Sequence, residues 1–235
     1  IGQLHGFWYF EAERSFRQAA ALDQDCAMAY WGAAMAAYSK RPRAQGFIKE
    51  AVARIESVSE REKLYIQSLD KYFSDKEKDK KKRALSYLKD LESIVIQYPD
   101  DLEAKAFVAH RIWHNAREGT PISSYVSLSS LIDDILVVEP LHPAHHYMIH
   151  LWDYRHPENA VQAAARCGVA GPSIAHMWHM PGHIYSRLKR YEDAVYQQEA
   201  SARVDHAHMI RDRVMPDEIN NFAHNNEWLI RNLSF

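Results

Sequence analysis

Cysteine is almost missing from this chain. Cys26 and Cys167 are the only two, 141 positions apart and in no CxxC pair. A disulfide framework is therefore excluded by count. Both lie in alanine-rich stretches and are expected to be small buried hydrophobes. Glycine and proline are sparse, 8 and 9 in 235 residues, which disfavours turn-rich β structure. No apolar run approaches the ~20 residues that a bilayer-spanning helix needs. Charge of one sign is missing too: the formal net charge is −2 and the isoelectric point about 6.7. Neither a polyanionic nucleic acid nor an anionic membrane surface is indicated as a partner. There is no glycine-rich phosphate loop, no G-x-S-x-G and no HExxH. The chain opens at Ile1 with no start methionine or leader, so a processed or partial chain is expected.

What is present is apolar text at helical spacing, and histidine. Hydrophobic residues make up 47% and charged residues 26%, enough for a sizeable core in a soluble protein. The 14 histidines are unevenly spread: ten fall between His142 and His208.

Period-3.6 patterns run along almost the whole chain. They predict helices over 6–22, 26–39, 46–58, 60–74, 84–98, 101–115, 124–138, 143–154, 157–167, 173–188, 190–208 and 216–233. In the first, Phe16, Ala19 and Ala20 are expected to face inward. Pro42 is expected to break the pattern after the second. Ser59 with Glu62 three residues on predicts a capping box for the fourth. The run DKEKDKKKR at 75–83 predicts a solvated turn and first helical turn, because aromatics are not interleaved with its bases. Pro99, Pro140 and Pro172 stand at joints between helices. The pairs recur every 34–40 residues or so, the period of a helical-repeat array.

One segment makes the repeat specific. Trp178-x-x-Pro181-Gly182-x-x-Tyr185, with Ala194 twelve residues past the glycine, resembles the tetratricopeptide repeat (TPR). Ala12, Phe16 and Ala19 match the family's second-helix pattern A-x3-F-x2-A, with Asp23-Gln24 where Asp-Pro is usual. The resemblance implies an all-α, right-handed solenoid of antiparallel helix pairs. About six or seven repeats would form one domain over 1–235, degenerate in 1–99 and histidine-rich in 100–235. The array looks cut at both ends and is expected to continue past Phe235. Pro181 stands where the family has leucine. A proline inside a helix removes a hydrogen bond, so a kink or a new helix start is expected near Met180–Pro181.

The resemblance also assigns ligand-facing positions, two before, one after and five after the signature tryptophan. Here these are His176, His179 and His183, within about 60° of one another at 100° per residue. His110 and His114, His146 and His150, and Asn220 and His224 repeat the i, i+4 spacing on neighbouring first helices. A shift of one residue in 143–154 would instead promote His145. Two histidines at i, i+4 can chelate one ion, and neutral imidazole suits Zn, Cu, Fe and Ni. His146, His150, His179 and His183 are the candidate metal ligands. Asp153, Asp205 and Glu227 are candidate carboxylates, as ligands or as partners that fix imidazole tautomers. Asn220, Asn221, Asn225 and Asn226 crowd one helix although asparagine is a poor helix-interior residue. Asn220, Asn225 and Asn226, with His176, Arg187 and His224, complete the candidate ligand-binding set. His5, His156, His206 and His208 belong to no stripe and are expected to be ordinary packed or solvated residues.

Two functions follow as expectations. In one, the concave groove holds a transition metal, with metal-dependent catalysis open. In the other, the groove binds a peptide or partner helix, as the family generally does, and the histidines fan out singly as hydrogen-bonding groups.

Overall fold

The computed structural model describes residues 1–74 and 77–235. Asp75 and Lys76, the start of the charge run, lie outside the described residues. Among the described residues the chain is all-helical and without strands. Thirteen α-helices follow in order: α1 (Gly2–His5), α2 (Tyr9–Leu22), α3 (Ala27–Ala36), α4 (Arg41–Ala53), α5 (Glu60–Phe73), α6 (Lys80–Gln97), α7 (Leu102–Arg117), α8 (Tyr125–Val138), α9 (His145–Trp152), α10 (Val161–Ala170), α11 (Ala175–Arg187), α12 (Tyr191–Asp212) and α13 (Asn220–Leu233). Within α2–α7 and within α8–α13, each helix packs on its neighbours in the chain. No described helix is long and apolar enough to cross a membrane.

The chain divides into two compact units. The first is essentially Trp8–Ser124; the second is Tyr125–Phe235 together with Gly2 and Leu4–Phe7.

In the first unit, alanine and glycine in α3 let helix axes come close. A Cβ at Gly32 would lie 2.2 Å from Cε1 of Phe16, so only glycine admits that ring. Trp31 is fully buried; its Nε1 donates to the Tyr65 carbonyl at 3.2 Å, and its ring meets Tyr65 and Phe107 edge-on. Helix starts are capped as the sequence indicates. Ser59 and Glu62 form the reciprocal box of α5, Asp79 caps α6, and Asp101 accepts from the Ala104 amide at 3.0 Å. The exposed residues 77–82 turn into α6 as the charge run predicts. Two expectations fail. Ala19 is exposed, and Ala12 is the buried partner of Ala20 instead. The helix expected from residue 46 starts at Arg41 instead, with Pro42, at the expected break, inside its first turn, because the first helical turn has no use for the N–H that proline lacks.

In the second unit, α9 packs on α10, α10 on α11, α11 on α12 and α12 on α13. The alternate helices also touch, α9 with α11 and α11 with α13. That second set of contacts brings the histidine-bearing helices together. α11 runs unbroken from Ala175 to Arg187 with Pro181 inside it, so the expected restart does not occur. The lost backbone bond costs roughly 3 kcal/mol. It is offset because Met177, His179, Met180 and Gly182 to Tyr185 are all buried between the flanking helices.

Candidate functional site

Six histidines come together in the second unit, as two triads. In each, the ligand atoms lie within 4.8 Å of one another: His146, His150 and His176 in one, His179, His183 and His224 in the other. The i, i+4 pairs predicted on α9 and α11 supply two members of each triad. The third members are His176 of α11 and His224 of α13. His146 and His150 thus gather with His176, not with His179 and His183. The triads adjoin along α11, where the His176 and His179 rings stack with centroids 5.6 Å apart. The histidines do not fan out singly.

The helix register is the one that sends His146 and His150 toward α11. The His146 ring lies 4.5 Å from His150 and 4.9 Å from His176. His145, on the other side, donates through Nε2 to the Pro140 carbonyl at 2.9 Å.

Hydrogen bonds fix which nitrogen each imidazole offers. His179 Nδ1 faces two amide oxygens, Gln198 Oε1 at 2.9 Å and Asn225 Oδ1 at 3.0 Å. Both amides are held that way round by their other ends. Gln198 Nε2 donates to the His179 carbonyl and Asn225 Nδ2 to the Gln198 carbonyl. His179 Nδ1 must therefore carry the proton, and Nε2 is left with its lone pair. His183 Nδ1 donates to Asp153 Oδ2 at 3.3 Å. His176 Nδ1 donates to Asn221 Oδ1 at 3.3 Å, and Asn221 is oriented by donating to Ser201 Oγ and Asp205 Oδ2. His146 Nδ1 donates to the His5 carbonyl at 2.6 Å. Four imidazoles thus spend Nδ1 on an oxygen and keep the Nε2 lone pair. That is the arrangement that outer partners impose on metal-ligating histidine.

The consequence is sharpest between His179 and His183. Their Nε2 atoms are 2.9 Å apart, and both Nδ1 positions are donors. Two lone pairs at that distance repel unless a cation, a proton or a metal ion, lies between them. Two metal–nitrogen bonds of ~2.05 Å at that separation subtend about 90°, so the pair is spaced for a chelated ion.

The surroundings favour neutral imidazole. Burial pushes the His179 pKa down to about 3, aided by His183. Burial likewise takes His146 down to about 4 and holds His176 well below the usual imidazole range. Burial also lowers His224, which is nevertheless exposed and so opens its triad toward solvent. Asp153 is buried; burial alone would raise its pKa, but His183 and Arg187 outweigh that and keep it ionised. The Trp228 indole stacks on His183 at 4.0 Å.

Glycine matters at one point. A Cβ at Gly182 would lie 2.0 Å from Gln198 Nε2. The Pro181-Gly182 pair at the centre of the repeat-like signature therefore admits the glutamine that orients His179.

The other predicted residues sit as follows. Arg187 donates to Asp153 Oδ1 and lies over the Tyr154 ring. Asn225 is fully buried in the site, whereas Asn220 is exposed and Asn226 bonds the Phe222 carbonyl of its own helix. Asp205 enters only through Asn221, and Glu227 is exposed. His110 and His114 belong to the first unit, where His110 meets Tyr9 and His114 meets Glu118. His156 bonds Glu158 and His208 bonds Asp212. His5 is packed as expected, its ring bonded to Tyr147 at 2.6 Å, and its backbone carbonyl is the group that fixes His146. Gln198 and Phe7 are absent from the sequence-based set. The close approach at Gly182 was the only signal for Gln198, and none points to Phe7.

No protein-family model matches the chain, and no curated protein matches it either. The geometry of the two triads is what a functional reading must use.

Proposed function

We propose that this is a TPR-like helical-repeat protein whose second unit binds a transition-metal ion through His179, His183 and His224. One observation carries the reading: the His179 and His183 Nε2 atoms stand 2.9 Å apart with both Nδ1 atoms committed as donors. Asp153, Gln198 and Asn225 act as the outer partners that orient the ligands. Three neutral imidazoles suit Zn, Cu, Ni or Fe, with copper(II) the strongest on general affinity grounds. Three protein ligands leave a coordination position for water or substrate, and His224 sets that position on the exposed side. An ion there would activate bound water or polarise an oxygen of a bound molecule.

The test is metal analysis and thermal unfolding of the full chain, with and without His179→Ala plus His183→Ala. A ligand at a hundredfold excess over its Kd stabilises by about 2.7 kcal/mol, so the unmutated chain should gain several degrees in Tm with one of these ions. The double variant should gain little from that site. A chain that binds none of the four and gains no stability from any of them rules the reading out, leaving a shared proton between His179 and His183.

A further inference from the structure

The other triad is built differently. His146 Nε2 is buried and has no hydrogen-bond partner. With Nδ1 given to the His5 carbonyl, that atom is a lone pair aimed at nothing in the protein. Buried polar atoms are met in the great majority of cases, so an unmet one points to a missing group. His176 gives its Nδ1–H to Asn221, which leaves its Nε2 as a second lone pair. The ligand atoms of His146, His150 and His176 already lie within 4.8 Å of each other. His146 leans on a backbone carbonyl and His176 on the Asn221 amide, where His183 of the other triad leans on the Asp153 carboxylate.

Phe7 roofs the cluster. Its ring centroid is 4.4 Å from His146, 5.4 Å from His150 and 6.3 Å from His176. It reaches that place with φ of 56°, in the left-handed region. A bulky residue rarely adopts that conformation, and strain of this kind gathers at functional sites. An aromatic ring there occupies room that a water ligand would otherwise use.

Deepening the reading above, we infer that His146, His150 and His176 hold a second transition-metal ion of their own, three-coordinate or nearly so, under the Phe7 ring. The two triads would then form an adjacent pair of unlike sites: one with a carboxylate behind it and open toward solvent, one purely imidazole and roofed. Imidazole ligands suit both copper and zinc, with copper(II) the tighter in the general order of affinities.

Equilibrium dialysis of the full chain against copper(II) and, separately, zinc(II), read by elemental analysis, tests this. The expected result is two ions per chain. His146→Asn plus His176→Gln, which keep polar groups at both positions, should leave one. His179→Ala plus His183→Ala should also leave one. A single ion in the unmutated chain, lost with the second pair of changes and kept with the first, overturns this inference while the proposed function stands. Two ions in the His146→Asn plus His176→Gln chain also overturn it. No ion in the unmutated chain removes both. Circular dichroism of each variant checks the fold. In the His179→Ala plus His183→Ala background, cobalt(II) should give intense visible bands, as low-coordinate cobalt does. Phe7→Ala should weaken those bands several-fold as water enters; bands that are weak from the start, or unchanged by Phe7→Ala, contradict the roofed site.

Discussion

The two units bury polar side chains by opposite means. In the first, the largest buried polar group is Arg111, almost fully enclosed. Its guanidinium lies 5.6, 5.2 and 5.9 Å from the rings of Tyr38, Tyr72 and Tyr87, donates to Tyr38 Oη at 2.6 Å and pairs with Glu118 at 3.1 Å. Burial opposes its charge, but Tyr38, Tyr72 and Glu118 outweigh that and raise its pKa. Arginine cannot shed its proton, so everything around it must accommodate a cation. In the second unit several of the buried groups are imidazoles, and at His146 and His179 burial favours the neutral form. They need only one oxygen each at Nδ1, and the other nitrogen is left as an acceptor. The first arrangement commits its cation to its own tyrosines and Glu118, and the atom it leaves without a hydrogen-bond partner, Arg111 Nε, is a donor that cannot hold a cation. The second has capacity left over, and that surplus is what a ligand site consists of.

Arg111→Ala should produce the largest change in stability. It leaves a cavity under three tyrosines and removes the charged donor to the Tyr38 hydroxyl, which keeps only its bond to Tyr72, so unfolding in urea should show a loss of about 3 kcal/mol. Ion binding in the second unit should not change. A loss of ion binding with the fold intact would break the contrast between the units.

Acid separates the units next. The unfolded chain takes up a proton at His146 near pH 6.5, whereas the folded chain resists until about pH 4. Protonation therefore favours unfolding. The stability is fully present above pH 6.5 and is lost as pH falls toward 4, by up to about 3 kcal/mol for that shift. His179, held to about pH 3, acts in the same direction. Urea midpoints of the metal-free protein between pH 7.5 and 4 should fall along this course, and His146→Asn should flatten it. A profile unchanged by that substitution would mean that His146 is not the group responsible.

Gly182→Ala sharpens the contrast within the site. The added methyl meets Gln198 and should cost about 1–3 kcal/mol by overpacking. With Gln198 displaced, ion affinity at His179 should drop about tenfold or more. Titration calorimetry showing full affinity would detach Gln198 from the site. The smallest effect belongs to the first unit: Ser59→Ala removes the α5 capping box and should cost about 1 kcal/mol with no effect on ion binding.

Local spacing made much of this legible. Helix positions, the joints at proline, the Ser59 box and the i, i+4 histidine pairs all depend on residues a turn or so apart. The grouping of those pairs into two triads depended on which helices touch, and no periodicity states that. Gln198 is nineteen residues from His179, and His5 is 141 from His146. Such partners are chosen by tertiary packing. No new helix starts at Pro181 for a related reason: the propensity of one residue was outweighed by burial of its helix on both flanks. Ala19 turned outward because the stripe of α2 centres on Ala12 and Ala20 rather than on its C-terminal alanines.

The four Nδ1 hydrogen bonds bear finally on speed. Each is already made in the metal-free molecule, so an arriving ion breaks none of them and the chain has little to rearrange. Loading should then be paced by how fast the ion sheds its own water. Nickel(II), slow to exchange its aqua ligands, should enter far more slowly than copper(II) or zinc(II), even where the final occupancies are alike.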